Sequence, residues 1–251
     1  AAAAAAATAA GSEKAEAFPN AVRKVQRDLN NPKRPGQQAG DLGMMPRIGY
    51  PEGALKECDN SPNCFSTTTS VVDEQYHDIK PWVFKGKTPE QAMTEVKDVL
   101  AAYEPSQQDI DGGGFKVFAE GTDFVYVQFE SLKRGYIDDV EFAIKPGTKA
   151  DDQEGEVYLR TSSRQGFYDY GVNGIRLNYI ADKLAEKPGW TVDGTDLKKH
   201  PRYWQPNCYA GLGRKAPFNT YKKWGEKYCG PEPELPGGNE DGGRAWGDRA
   251  R

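Results

Sequence analysis

The stretch from Ser131 to Arg176 limits the fold more than any other part of the chain. It reads S-L-K-R-G-Y-I-D-D-V-E-F and, after a loop, V-Y-L-R-T-S-S-R-Q-G-F-Y-D-Y-G-V-N-G-I-R. Period-two apolar spacing marks half-buried strands, and Lys133-Arg134-Gly135 is short enough to fold two of them into an antiparallel hairpin. The first strand is Asp123–Ser131, where Val125, Val127 and Phe129 alternate with Phe124, Tyr126 and Gln128. The second is Tyr136–Lys145 and the third Glu154–Ser163, joined by the acidic loop Gly147–Gly155. Phe115–Glu120 adds a short strand before them.

Helices bracket these strands. Thr88-Pro89-Glu90-Gln91 supplies a capping residue, a proline at the first helical position and the glutamine of a capping box. Met93, Val96, Leu100 and Tyr103 follow as a buried stripe, and Pro105 stops the helix. A second helix is predicted from Asn173 to Lys187, with Asn173 as its N-cap and Ile175, Tyr179, Ile180 and Leu184 facing inward. Pro188 and Gly189 end it. The expectation is an α+β fold: one domain at 54–187, an antiparallel sheet packed by two helices, and long irregular arms at 1–53 and 188–251.

The arms differ in composition from the domain. Of 251 residues only 37% are hydrophobic, while 28 are Gly and 17 Pro, so much of the chain is loop or extended arm. The Ala1–Ala7 run is left out of the fold reasoning. A short helix is expected over Asn20–Leu29, followed by loop composition through Gly43. The C-terminal arm holds Trp190, Tyr203, Trp204, Tyr221, Trp224 and Trp246 among Pro, Gly, Lys and Arg, with few aliphatics. These are candidate partner-binding residues; the competing reading packs them back on the domain. On the first reading, removing 188–251 leaves the domain folded.

Charge follows the same division. Residues 1–50 carry +3, 188–251 carry +3 and the body between them −10. An acidic body argues against nucleic acid as its partner, whereas basic arms suit acidic protein surfaces or anionic lipid. No apolar run reaches the ~18 residues that span a bilayer. The N-terminus lacks a basic region followed by an apolar stretch, so any targeting segment is expected to have been removed.

Cys58, Cys64, Cys208 and Cys229 are even in number and locally spaced, which fits disulfides Cys58–Cys64 and Cys208–Cys229 and an oxidising compartment. Free thiols, or zinc with His77 or His200, remain open. The candidate site is a polar cluster: Asp138, Asp139, Glu141, Arg160, Arg164, Asp169, Asn173 and Arg176. On a strand Asp139 and Glu141 project to one face and Asp138 to the other. Such a set can neutralise itself, bind an anionic headgroup or carboxylate, or act as general acid and base. Catalysis is the weakest of these, because the cluster has no histidine, no Ser-His or Cys-His arrangement and no metal-ligand spacing. Gly112-Gly113-Gly114 lacks the Lys-Ser/Thr of a phosphate loop. No cofactor or metal is expected.

Three segments carry a family resemblance. Cys58-Asp59-Asn60-Ser61-Pro62-Asn63-Cys64-Phe65-Ser66-Thr67 resembles the C-P-x-x-P-N-C-V-S-S opening of the domain-of-unknown-function fourteen-ninety-nine family. Gly135–Phe142 resembles its G-F-V-D-D-V-E-F segment, and Arg160–Arg164 with Gly166–Arg176 resemble its R-S-x-S-R-x-G-x-x-D-x-G-x-N-x-x-R segment. Asp59 and Phe65 depart from the family's Pro and Val. The family brings no established catalytic residues, and its members occur in bacterial envelopes and plastids. Ala17-Phe18-Pro19-Asn20 and Pro62–Thr67 resemble algal plastid members. The implied setting is the chloroplast thylakoid, on the lumenal side if the cysteines pair. The expected role is a non-enzymatic peripheral subunit of a photosynthetic complex, a photosystem first, binding neighbouring protein subunits through its arms, with lipid or pigment contact allowed. The alternatives are a lumenal assembly factor, and a lipid- or pigment-binding protein or enzyme that uses the polar cluster.

Overall fold

A computed structural model of the protein describes residues 17–22, 32–69, 78–210 and 225–229. In chain order its elements are β1 (Met45–Arg47), β2 (Tyr50–Ala54), β3 (Cys64–Ser66), β4 (Trp82–Lys85), α1 (Pro89–Ala101), β5 (Phe115–Glu120), β6 (Phe124–Glu130), β7 (Ile137–Ile144), β8 (Glu154–Ser163), α2 (Val172–Ala185), β9 (Trp190–Thr191) and α3 (Pro201–Ala210). A single π-helical turn covers Gly225–Cys229. β1 and β2 form a separate hairpin; the other seven strands make one sheet, ordered β5-β6-β7-β8-β4-β9. β3 and β4 both lie along β8, β4 at its start and β3 at its end. Every strand pair is antiparallel.

The register divides the sheet into two chemically different faces. Val127 pairs with Val140 and Val140 with Thr161, so Val125, Val127, Phe129, Val140, Phe142, Val157 and Leu159 share the face that packs the helices. The other face carries Tyr126, Gln128, Glu130, Asp139, Glu141 and Arg160; on it Tyr126 lies opposite Glu141, Gln128 opposite Asp139 and Glu141 opposite Arg160, while Glu130 lies opposite Ile137. Residues 32–44 cross this second face in irregular conformation. There the Gly43 amide donates to Glu141 Oε1 at 2.5 Å, and Lys33 Nζ lies 2.5 Å from Glu130 Oε2.

The α+β class, the antiparallel sheet and the strands from Phe115 to Ser163 are as the sequence pattern indicates. So is the capping box of α1: Thr88 Oγ1 accepts from the Gln91 amide and Gln91 Oε1 accepts from the Thr88 amide. Most of the expected Asn20–Leu29 helix lies outside the described residues, and 20–22 form a turn and bend.

The domain limits drawn at 54 and 187 are too narrow. Ala54 ends β2, and β9 and α3 lie beyond Lys187. The reason is packing. Tyr203 is 0% exposed and Trp204 2%, so these two rings belong to the core and are not offered to a partner. Trp204 lies flush on the start of α2 because Gly171 and Gly174 face it. A Cβ at Gly174 would stand 2.6 Å from Trp204 Cζ2 and 2.9 Å from Tyr203 Cε1. Tyr228 stacks on the indole at 4.9 Å. Trp190 is half-buried, its Nε1 donating to Glu95 at 2.5 Å with the Lys87 ammonium 5.3 Å from its ring. Tyr221, Trp224 and Trp246 lie outside the described residues.

All four cysteines are in disulfides, Cys58–Cys64 and Cys208–Cys229. This removes the free-thiol and zinc readings. His200 packs edge-on against Phe65 at 5.2 Å, and His77 lies outside the described residues. The second bridge ties the π-helical turn to α3.

Two outcomes are expected. Truncation after Lys187 abolishes the cooperative unfolding transition, because it removes β9, Tyr203 and Trp204; circular dichroism melting checks this. Gly174→Ala forces the indole away and costs about 1–3 kcal/mol in urea denaturation.

Candidate functional site

The polar residues singled out from the sequence fall into two groups, separated by the thickness of the sheet. On the helix face Arg176 is the centre. It projects from the first turns of α2, 1% exposed, and its guanidinium lies 4.6 Å from the centre of the Phe129 ring. Nε and Nη2 donate to the two oxygens of Asp111 at 2.8 and 2.5 Å. Nη2 also donates to Asp138 Oδ2 at 2.7 Å, and Nη1 to Asn173 Oδ1 at 2.8 Å. Tyr103 Oη closes the set by donating to Asp111 Oδ2 at 2.6 Å. Burial raises the Asp138 carboxyl above its usual range, against the pull of Arg176. Burial also pushes Tyr103 well up, and the adjacent Asp111 carboxylate adds to the shift.

Asn173 is not the N-cap of α2. Gly171 holds that position at φ 83°, and Asp169 takes over the capping role from two residues further upstream. Its Oδ1 accepts from the Gly171 amide at 2.9 Å and its Oδ2 from the Asn173 amide at 3.0 Å. The Asn173 side chain is thereby free to join the strands. Its Oδ1 accepts from Thr161 Oγ1, and its Nδ2 donates to Asn63 O at 2.9 Å and Ser163 Oγ at 3.0 Å. Tyr203 Oη donates to Asp169 Oδ2 at 2.7 Å and accepts from the Gly174 amide at 2.8 Å. Burial pushes the Asp169 carboxyl up to about 6, and these hydrogen bonds only partly oppose it.

The opposite face holds Asp139, Glu141, Arg160 and Arg164. Arg164 grips Asp139 with two bonds, Nε to Oδ2 and Nη2 to Oδ1, both 2.8 Å. Tyr126 Oη donates to Asp139 Oδ1 at 2.5 Å. Arg160 meets Glu141 more loosely, at 3.5 Å, and its buried Nε has no hydrogen-bond partner among the described residues. Burial raises the Glu141 carboxyl despite Arg160. The sheet's alternation thus separates Asp138 from Asp139 and Glu141 as the pattern indicates. Asp111, Tyr103, Asn63 and Thr161 are not among the candidate site residues of the sequence, where Tyr103 figures only in the buried stripe of the first helix and Asn63 and Thr161 only in the family segments. For Asp111 the one local signal is the Gly112-Gly113-Gly114 turn that follows it.

An open groove of about 860 Å³ lies elsewhere, between β4, the start of α1 and Pro188-Gly189. Lys85, Lys87, Thr88 and Glu95 line it, and no residue of the polar cluster does. Lys87 Nζ is held there by Glu95 at 2.5 Å and Pro188 O at 2.7 Å. Among the described residues no group of His, Cys, Asp and Glu is placed to hold a metal ion, and no helix is long and apolar enough to cross a membrane.

Fold and cluster together define an α+β domain whose buried charged groups find their partners within the fold. The chain belongs to the family described as Protein of unknown function (DUF1499), which it matches over residues 54–184. No curated protein and no solved structure matches it.

Arg176→Met leaves Asp111 and Asp138 buried without their cation and is expected to cost about 3–5 kcal/mol in denaturant unfolding. Adding Asp138→Asn to it recovers part of that loss. Asp169 gives a pH signature. Its carboxyl protonates near pH 6 in the fold but only near 4 in the unfolded chain. The stability it contributes is therefore complete below about pH 4 and lost as pH rises through about 6. Asp138 and Glu141, also raised, act in the same direction. Asp169→Asn flattens the fall in unfolding free energy between pH 4.5 and 7, whatever its absolute stability.

Proposed function

We propose that this protein is a non-enzymatic peripheral subunit of a thylakoid photosynthetic complex, a photosystem first, and that chain flanking its domain binds the neighbouring subunits. The observation that carries this reading is the inward use of the charged side chains. Arg176 and Arg164 each hold carboxylates within the fold, at 2.8 Å or less for every ion pair they make. A guanidinium spent this way fixes strand register and the position of a helix, whereas substrate chemistry needs groups that change partners.

Chain composition also supports the outward role. Residues 211–251 carry Tyr221, Trp224 and Trp246 among Pro, Gly, Lys and Arg, a mixture suited to protein contact. The thylakoid setting rests on the plastid-type wording of Ala17–Asn20 and Pro62–Thr67. Two disulfides favour the lumenal side.

One observation favours a second reading, a ligand on the arm-covered face: the loose Arg160–Glu141 contact and the unpartnered Arg160 Nε. Arg160→Lys separates the two readings. It leaves complex association unchanged if the first is right, and removes a copurifying lipid or pigment if the second is.

Fractionation of solubilised thylakoids tests the main proposal. The protein is expected to migrate with one photosynthetic complex in stoichiometric amount. A free monomer overturns the proposal, and a substoichiometric signal on immature complexes points to an assembly factor. Removing residues 231–251, which spares Cys229 and the core, is expected to weaken association while the melting temperature stays put.

A further inference from the structure

The β1–β2 hairpin stands apart from the main sheet and presents apolar residues to solvent. Ile48 is 83% exposed and Met45 41%, with Pro46 and Pro51 exposed beside them. A two-residue turn centre is ordinarily filled by Gly, Asn, Asp, Ser or Pro, which suit its backbone and its exposure to water. Here Gly49, at φ 80°, supplies the left-handed residue that closes the turn. Ile48, the other central residue, has no such backbone requirement and buries almost nothing.

The hairpin is tied back by the side chains on either side of its turn, Arg47 and Tyr50. Arg47 donates to Asp41 Oδ2 at 3.1 Å, to Asp41 O at 2.7 Å and to Ala54 O at 3.1 Å. Lys56 Nζ holds the other oxygen of Asp41 at 2.8 Å. Tyr50 Oη accepts from the Thr69 amide at 3.2 Å. An apolar tip on an immobilised stem loses little freedom on docking, which is how a small contact becomes a strong one.

The surroundings select the occupant. Glu52 follows on β2 and lies beside Gly147. The loop beyond, residues 147–155, carries Asp151 and Asp152 against Lys149, while Glu154 and, just past the loop, Glu156 are paired with Lys85 and Lys145. An anionic bilayer is repelled by that rim, whereas a protein pocket with an apolar floor and Lys or Arg at its edge complements it. We infer that Ile48 is the anchor of a protein–protein contact, inserted with Met45 into an apolar pocket of a partner whose rim is basic. This deepens the proposed role as a binding subunit and rests on it only in requiring a protein partner.

The test places a benzophenone amino acid at position 48, and as a control at exposed position 198, in the full chain within native membranes. The expected result is a single protein adduct from position 48, absent from 198, whose cross-linked peptide lines an apolar site flanked by basic residues. Ile48→Lys then weakens association with that partner at least ~10-fold, and Ile48→Met by no more than about threefold. Both variants are expected to keep the wild-type melting temperature, since the position is exposed and makes no left-handed demand. Adducts to lipid, equal adducts from both positions, no adduct at all, or undiminished binding by Ile48→Lys overturns the inference. A specific partner outside any photosynthetic complex leaves the inference standing and sinks the functional reading above it.

Discussion

Arg176 ties together three parts of the molecule that also share the apolar core. It belongs to α2, reaches Asp138 on β7 and clasps Asp111 in the loop between α1 and β5. Burying a guanidinium is expensive unless its donors are satisfied, and here bonds to two carboxylates and one amide do so. The cost makes the arrangement selective. A shifted strand would leave Asp138 on the wrong face, and a rotated helix would leave a charge unpaired. The apolar face of the sheet provides most of the burial; the guanidinium decides how helix and sheet line up within it.

A second layer of fixing depends on the first. Asp169 can cap α2 because the helix starts where Arg176 requires. Tyr203 can then reach Asp169 and the Gly174 amide together, bringing α3 onto the same helix start. The Cys208–Cys229 bridge extends this hold to the π-helical turn, where Tyr228 covers Trp204. Sheet, α2, α3 and turn therefore form one chain of dependence.

What could be read in the sequence was local. The alternation of Val125, Val127 and Phe129, the Lys133-Arg134-Gly135 turn and the Thr88–Gln91 box each declare their structure within a few residues. The family segments mark the polar cluster, and the opposed directions of Asp138 and Asp139 follow from strand geometry alone. What the sequence does not declare is non-local. Tyr203 and Trp204 sit among Pro, Asn and Lys, and no periodicity declares that Gly171 and Gly174, about thirty residues earlier, leave space for an indole. Asn173 had the chemistry of a cap, yet Asp169 beat it because Gly171 turns the chain left-handed between them. One partner of Glu141 is a backbone amide 98 residues away, for which no side-chain pattern exists.

That last contact has a temporal consequence. The segment 32–44 leaves the ribosome before the strands it covers, and the surface that Gly43 and Lys33 occupy exists only once β6, β7 and β8 have paired. Closing a loop over such a separation costs more entropy than pairing neighbouring strands, so this contact follows the strand pairing. During synthesis Glu130, Asp139, Glu141 and Arg160 face water as an open polar sheet surface. Their charge is what keeps that surface from sticking to other nascent chains until the earliest-made segment arrives last.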